Sequence, residues 1–582
     1  MTKTEAPRTA RRKKPVADED LAAHAPIELR YRLVDLPSSL HRAGLAGLVL
    51  LIRWLERNAE RKKGILEVVG IDAGGATIRV DLEGMKSLFD EAYAATWQLV
   101  PESKIRKDKA KAEIAPHSTV EVDDVDPKTG EPKLDKKTGQ PRKKTLYLYP
   151  KPVPRGAFLV DFDPSVSGDD GVWVGQWRQM IWEIVRGNNK TRVPYVARAE
   201  GAVALGIELP KKPNDATDAF QAITSKKSKP IGLKMPHIPG MVGETAERVL
   251  LSDLPQNELL LQLWPLSTSV YRPRTQTVKK GKPHTSYPGF VLCVPDVRDL
   301  AAYCAEIRDI ERRRLPEASY GRPRGGIIDV PAEGALSLFA RTRHSMAEKA
   351  RQISDDVLVT GVDVVHVEKV GNNLRVHDRA RIEPDPIMIG TYADRERAYW
   401  SPLFRQRRMA SIVSMSPWWT SFATICSTSS RALTIGNDYF RHDARLAFED
   451  KERPRDMETG NDATLAIENL VYDVVTAYVF GRLERKYQLR WDHEKQAAVT
   501  THGVPASGKE YQEKREKIAT DLFLATRSRT GADFVALFTS TICSIPQRSL
   551  GNQEKYLALT QALLEDTEKV RTLTLLALSA RA

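Results

Sequence analysis

Gly503, Gly508 and Lys509 stand at the spacing of a phosphate-cradling GxxxxGK loop. Such a loop wraps phosphates in backbone N–H groups and holds magnesium with a following Ser or Thr hydroxyl; here Glu510 brings a carboxylate instead, and the flanks read as helix and loop. His442–Asp443 and His377–Asp378 resemble metal-binding His–Asp pairs. Metal hydrolysis needs further ligands converging on the same ions, and the 11 histidines are scattered. Asp161 and Asp163 alternate in VDFDP, a pattern open to magnesium but common at strand ends. No Ser/His/Asp or Cys/His nucleophile assembles, and no dinucleotide fingerprint is present. The expectation is a protein with no catalytic residues, no metal site and no cofactor.

Another set of residues suits nucleic acid. Asn188, Asn189, Lys190, Thr191 and Arg192 read as a polar, basic, Pro-terminated loop: Asn can bond adenine edges, Arg guanine edges, and Lys phosphate. Further basic loops carry Lys226 and Lys227, and then Arg272, Arg274, Lys279, Lys280 and Lys282, with no acid from Tyr271 to Phe290. Residues 103–145 hold 12 basic and 8 acidic residues and two similar turns, DPKTGEP and DKKTGQP, the second with Lys136 and Lys137. They read as a mobile basic loop. Asn372 and Asn373 follow Gly371 in a hairpin signal.

The elements that position these residues follow from periodicity and charge. Of the net charge of +13, none lies beyond Met457: residues 457–582 hold 16 basic and 16 acidic residues. A basic body suits a polyanion, because phosphate neutralisation releases counterions. Residues 1–35 read as a disordered basic tail. From Pro37 a helix runs through LHRAGLAGLVLLIRWLERNAERKK, where Gly44 and Gly47 imply a second backbone packed close by. ILEVVGI and ATIRVDL form a hairpin, and a helix follows from about Met85 to Trp97. AFLVDFD reads as a buried strand. VWVGQWRQMIWEIVRG reads as a helix whose stripe Trp173, Trp177, Met180, Ile181 and Ile184 is core rather than a stacking platform.

VLVTGVDVVHVEKV and LRVHDRARIEP form a hairpin with imperfect alternation, as if partly covered on both faces. The fold class is therefore α+β: a mixed helix and β-hairpin body over residues 36–450, with basic loops at 103–145, 186–195, 226–234 and 271–285, then an all-helical bundle over 457–582. The four cysteines form no CxxC pair, which fits a reducing cytosol. The longest apolar run near the start, Gly44–Ile52, is too short to span a bilayer.

LPSSLHRAGLAGLVLLIRWL at Leu36–Leu55, RGNNKTRVPYVARAEG at Arg186–Gly201, GVDVVHVEKVGNNLRV at Gly361–Val376 and DLFLATRSRTGADFVALFTSTICSIPQ at Asp521–Gln547 resemble the large subunit of type I CRISPR Cascade complexes, in its MYXAN variety. The resemblance implies a non-catalytic, cytoplasmic subunit of a guide-RNA complex, bound beside the backbone and RNA-handle-binding subunits. It implies recognition of a protospacer-adjacent motif in duplex DNA, support of R-loop formation and of the displaced single strand, and docking of a helicase–nuclease. It also implies that the helical tail acts like a small subunit, made separately if translation starts at Met457. Two alternatives stay open on the residues alone: a metal- or ATP-dependent nucleic-acid enzyme, and a DNA-binding protein acting without RNA.

Overall fold

The computed structural model describes residues 25–107, 112–125, 132–135, 138–163, 171–187, 189–225, 229–233, 252–314, 326–348, 358–371, 373–449, 466–544 and 553–582. Strand β1 (Ile27–Arg32) lies within the stretch expected to be tail: alternate burial of Leu29 and Tyr31 pairs it onto the body. Helix α1 (Ser39–Arg57) is the axis of the body, with every residue from Ala43 to Ile52 buried. The two glycines allow this. A Cβ on Gly44 would sit 2.2 Å from the carbonyl oxygen of Leu260, and one on Gly47 would sit 2.5 Å from that of Leu263. Strands β2 (Leu66–Ile71) and β3 (Gly75–Val80) form the expected hairpin, and β1 completes a sheet of order β1-β3-β2. Helix α2 (Leu82–Ala92) ends before Trp97, which lies instead in strand β4 (Ala95–Glu102).

Part of the 103–145 region is strand rather than loop. β5 (Ser118–Asp123) pairs with the start of β6 (Lys143–Pro154), whose far end pairs with β4. Pro150, Pro152 and Pro154 alternate beyond the last β5 partner, Leu148. Residues two apart on a strand face the same neighbour, so the missing N–H groups fall on one open edge and end the ladder there. AFLVDFD is a 3-10 helix (Ala157–Phe162), not a strand; a short apolar run does not distinguish the two. Helix α3 (Val172–Met180) continues through a π turn (Ile181–Val185), and its Trp173, Trp177, Met180, Ile181 and Ile184 are buried, as the stripe predicts. The expected loop at Asn189 is helix α4 (Asn189–Val196). β7 (Ala199–Glu200) then closes a sheet of order β5-β6-β4-β7.

After helix α5 (Asp215–Thr224), the short strands β8 (Ile231–Gly232) and β9 (Ser252–Asp253) pair, and helix α6 (Pro255–Leu261) brings Leu260 onto Gly44. β10 (Ser269–Pro273) leads into a hairpin of β11 (Thr275–Lys279) and β12 (Lys282–Ser286). β13 (Phe290–Val297), entirely buried, follows. Helix α7 (Leu300–Arg312), β14 (Ile327–Ile328) and helix α8 (Glu333–Glu348) precede the long pair β15 (Val359–Val370) and β16 (Asn373–Ile382). The main sheet has the order β14-β10-β13-β15-β16. The extra residue of a bulge between His366 and Val367 is His377 on β16, and β15 pairs with β13 without a break there, so Val367 is buried on the face opposite Val362 and Val364; both faces are covered, which accounts for the imperfect alternation.

Helices α9 (Pro386–Arg395), α10 (Pro402–Val413), α11 (Phe422–Thr428) and α12 (Asp438–Glu449) lead to the C-terminal lobe. There α13 (Ile467–Tyr487), α14 (Gly508–Arg527), α15 (Gly531–Leu537), α16 (Gln553–Glu565) and α17 (Thr567–Arg581) pack around a second core. Among its described residues the lobe is helical apart from one hairpin, β17 (Leu489–Asp492) with β18 (Ala497–Thr500). Its core starts upstream of Met457, because Tyr399, Phe404, Phe422, Phe440 and Phe448 belong to it. Helix α17, buried from Val570 to Ala580, packs on α11 and α12 as well as on α13 and α14. Met457 itself lies outside the described residues.

Candidate nucleic-acid interface

The residues first tested for chemistry have structural work. Asp443 is fully buried and accepts the backbone N–H groups of Trp400 and Ser401 at 2.9 and 2.7 Å, while His442 stacks on Trp400 with ring centroids 4.2 Å apart. Burial raises the Asp443 carboxyl to about 6 against those donors. His377 bonds Glu368 at 2.8 Å across the β15–β16 pair and stacks on His366. Asp163 accepts the N–H groups of Trp173 and Val174 and fixes the start of α3. The Gly503–Lys509 segment runs from strand to helix, contrary to the sequence reading. However, Ala506 N–H bonds back to Ala498 O, and the Ser507 hydroxyl caps α14, so the hairpin and the cap hold the turn that would cradle a phosphate. Among the described residues no group of three or more His, Cys, Asp or Glu side chains could hold a metal ion. Cys293, Cys304, Cys426 and Cys543 are free thiols, and burial pushes the first three up to about 12.

The nucleic-acid candidates divide by burial. Lys279, Lys280 and Lys282 are exposed at the tip of the β11–β12 hairpin, around a two-residue turn in which Lys280 and Gly281 have φ of 51° and 74°. Positive φ at both positions is the type I′ geometry that matches strand twist and holds the hairpin straight. The hairpin leans on the 3-10 turn Arg431–Leu433 of the C-terminal lobe. Lys190 is exposed on α4, and Asn373 is exposed at the first position of β16.

Two arginines are tied within the protein. Arg274 is buried and grips Asp329 through two bonds, Nε to Oδ1 at 2.7 Å and Nη2 to Oδ2 at 3.0 Å; it has no path to a ligand. Arg192 donates to the carbonyls of Arg186 and Trp182 at 2.9 and 2.7 Å and lies over the Trp182 ring, so a base edge would have to displace those bonds. Asn188, Lys226, Lys227, Lys136, Lys137 and Asn372 lie outside the described residues, as does the Asn189 side chain.

A cleft of about 660 Å³ opens where the proline edge of β6 faces α3 and β10. Lys151, Gln179, Trp182, Glu183, Arg272 and Tyr287 line it. Arg272 lies over the Phe290 ring and donates to Tyr287 O at 3.2 Å. Burial lowers Lys151, Arg192 and Arg272 from their usual values, and Glu183 is the carboxylate that acts on all three. Sequence reading missed Lys151, Gln179 and Glu183. Lys151 is one charge in a proline-rich strand, and the only local signal was the alternation PKPVP.

A model of the Type I-B CRISPR Cas8b N-terminal domain matches residues 65–352, and one of the Type I-B CRISPR Cas8b C-terminal domain matches residues 359–581. No curated protein sequence matches the chain. Two such matches, in order and over most of the length, define a large subunit of a CRISPR Cascade complex. The chain belongs to the type I-B CRISPR Cas8b family, and this membership implies a role within a complex containing guide RNA and DNA. The boundary between the two matches does not divide the structure: β13, from the first, pairs along its length with β15, from the second. No helix among the described residues is long and apolar enough to cross a membrane.

Proposed function

We propose that this chain is the non-catalytic large subunit of a type I-B RNA-guided DNA surveillance complex, acting in the cytoplasm. In this reading it recognises a protospacer-adjacent motif in duplex DNA, supports R-loop formation and presents a dock for the helicase–nuclease. Guide RNA, the backbone subunits and the RNA-handle-binding subunit are its standing partners. The observation that carries this is the pair of family matches, in order, along a chain whose whole excess charge of +13 lies upstream of Met457. Sequence choice is then left to RNA–DNA pairing, a division of labour known from single-protein effectors. The lysine hairpin would follow phosphates, which supplies affinity without sequence preference. Lys190 and Asn373 are the exposed candidates for contacts nearer the bases.

The test is co-expression with the genomic neighbours and a guide array, followed by purification on a tag of this chain. Co-elution of a defined short RNA in fixed proportion is the expected result. An RNA-free monomer with its neighbours unbound would overturn the reading.

A further inference from the structure

The cleft between β6, α3 and β10 has more cationic than anionic groups. Lys151 on β6, Arg178 on α3 and Arg272 on β10 line it against one carboxylate, Glu183, which acts on Lys151 and Arg272. Neither Lys151 nor Glu183 makes an ion pair among the described residues. Desolvating cations without matching anions is unfavourable, so such a cluster favours a negatively charged ligand. The lining also includes the Tyr287 ring, Gln179 and the Trp182 ring, one face of which Arg192 covers. At about 660 Å³ the cleft falls within the range of small-ligand sites, and it is not an extended face for a double helix. Aromatic faces for a base and cations for a phosphate are the two elements by which proteins hold unpaired nucleotides.

We propose that this cleft is a receptor for a single unpaired nucleotide, its phosphate held by Lys151 and Arg272 and its base set against Trp182 and Tyr287. The choice of a nucleotide rests on the nucleic-acid reading above. Glu183 opposes the phosphate and so limits how tightly the site holds it.

Two surface substitutions test this with opposite signs. In the assembled complex, binding of a short single-stranded oligonucleotide is measured against salt, with duplex binding as the control. Lys151→Ala is expected to weaken binding and to lower the slope of log K against log salt by about 0.7, the value for one lost phosphate contact on a single strand. Glu183→Gln is expected to tighten it, which a merely structural role would not do. Photocrosslinking identifies the source: thiouridine in the guide or thiothymidine in the DNA should label the peptide carrying Trp182. Unchanged single-strand binding in both variants, with no label at Trp182 in either arm, overturns the proposal while duplex binding and RNA co-elution persist. Loss of RNA co-elution in the unsubstituted complex instead overturns the underlying reading.

Discussion

Arg405 is wholly buried on α10, and its Nε lies 2.9 Å from Oδ2 of Asp329. Asp329 also receives Arg274, and Arg405 also reaches Glu333, so four buried charges form one chain. Asp329, Glu333 and Arg274 lie in the part matched by the N-terminal family model, and Arg405 in the part matched by the C-terminal one. Breaking a buried pair from one side leaves an uncompensated charge. Arg405→Ala should therefore cost about 3–5 kcal/mol, while Arg405→Met combined with Glu333→Leu should recover part of that loss. Urea unfolding of the three proteins checks this, and equal stability of the single and double variants would contradict it.

The hairpin lysines have no such internal role. Lys279→Ala with Lys280→Ala should leave the melting temperature unchanged and lower the salt slope of DNA binding by up to about two units. An unchanged slope would show that the hairpin does not touch phosphate.

Asp296 joins α1 to the main sheet, taking Arg42, Arg381 and Thr360. Burial alone would raise its pKa, but the hydrogen bonds from Arg42 and Arg381 overcome this and hold it below its ordinary value of 3.8. A depressed carboxylate contributes stability that is complete above that ordinary value and is lost as pH falls through the folded one. Asp296→Asn should therefore lower stability near neutral pH and flatten the acid limb. Urea midpoints measured across pH 3–7 would expose the opposite behaviour.

Gly44→Ala should destabilise by about 1–3 kcal/mol despite the better helix propensity of alanine, because the new methyl meets a backbone carbonyl that cannot rotate away. A neutral or stabilising result by thermal melt would mean that α6 can withdraw from α1.

A fragment starting at Met457 lacks α11 and α12, which cover α17. It should melt broadly and bind hydrophobic dyes, whereas a fragment starting before Tyr399 should melt cooperatively. A sharp transition in the shorter fragment would support an independently made small-subunit-like product.

Much of this was legible from periodicity. The tryptophan stripe, the glycine pair and the β2–β3 hairpin each write their geometry into neighbouring residues. The failures share a cause: their determinants are distant in sequence. Arg274 and Lys279 look alike as loop cations, and only Asp329, 55 residues from Arg274, separates a buried tie from an exposed contact. The C-terminal core extends upstream to Tyr399 through apolar residues that carry no charge signal, whereas net charge changes at Met457. Lys151 joins Arg192 and Arg272 only after three elements have packed.

The alternating prolines of β6 have a further consequence. A strand edge with free donors invites any extended segment to join it, and in an assembly of many chains such segments stand close together. With three donors removed in succession, this rim cannot template growth from one molecule to the next, so the opening beside Lys151 stays accessible instead of being sealed by a neighbouring copy.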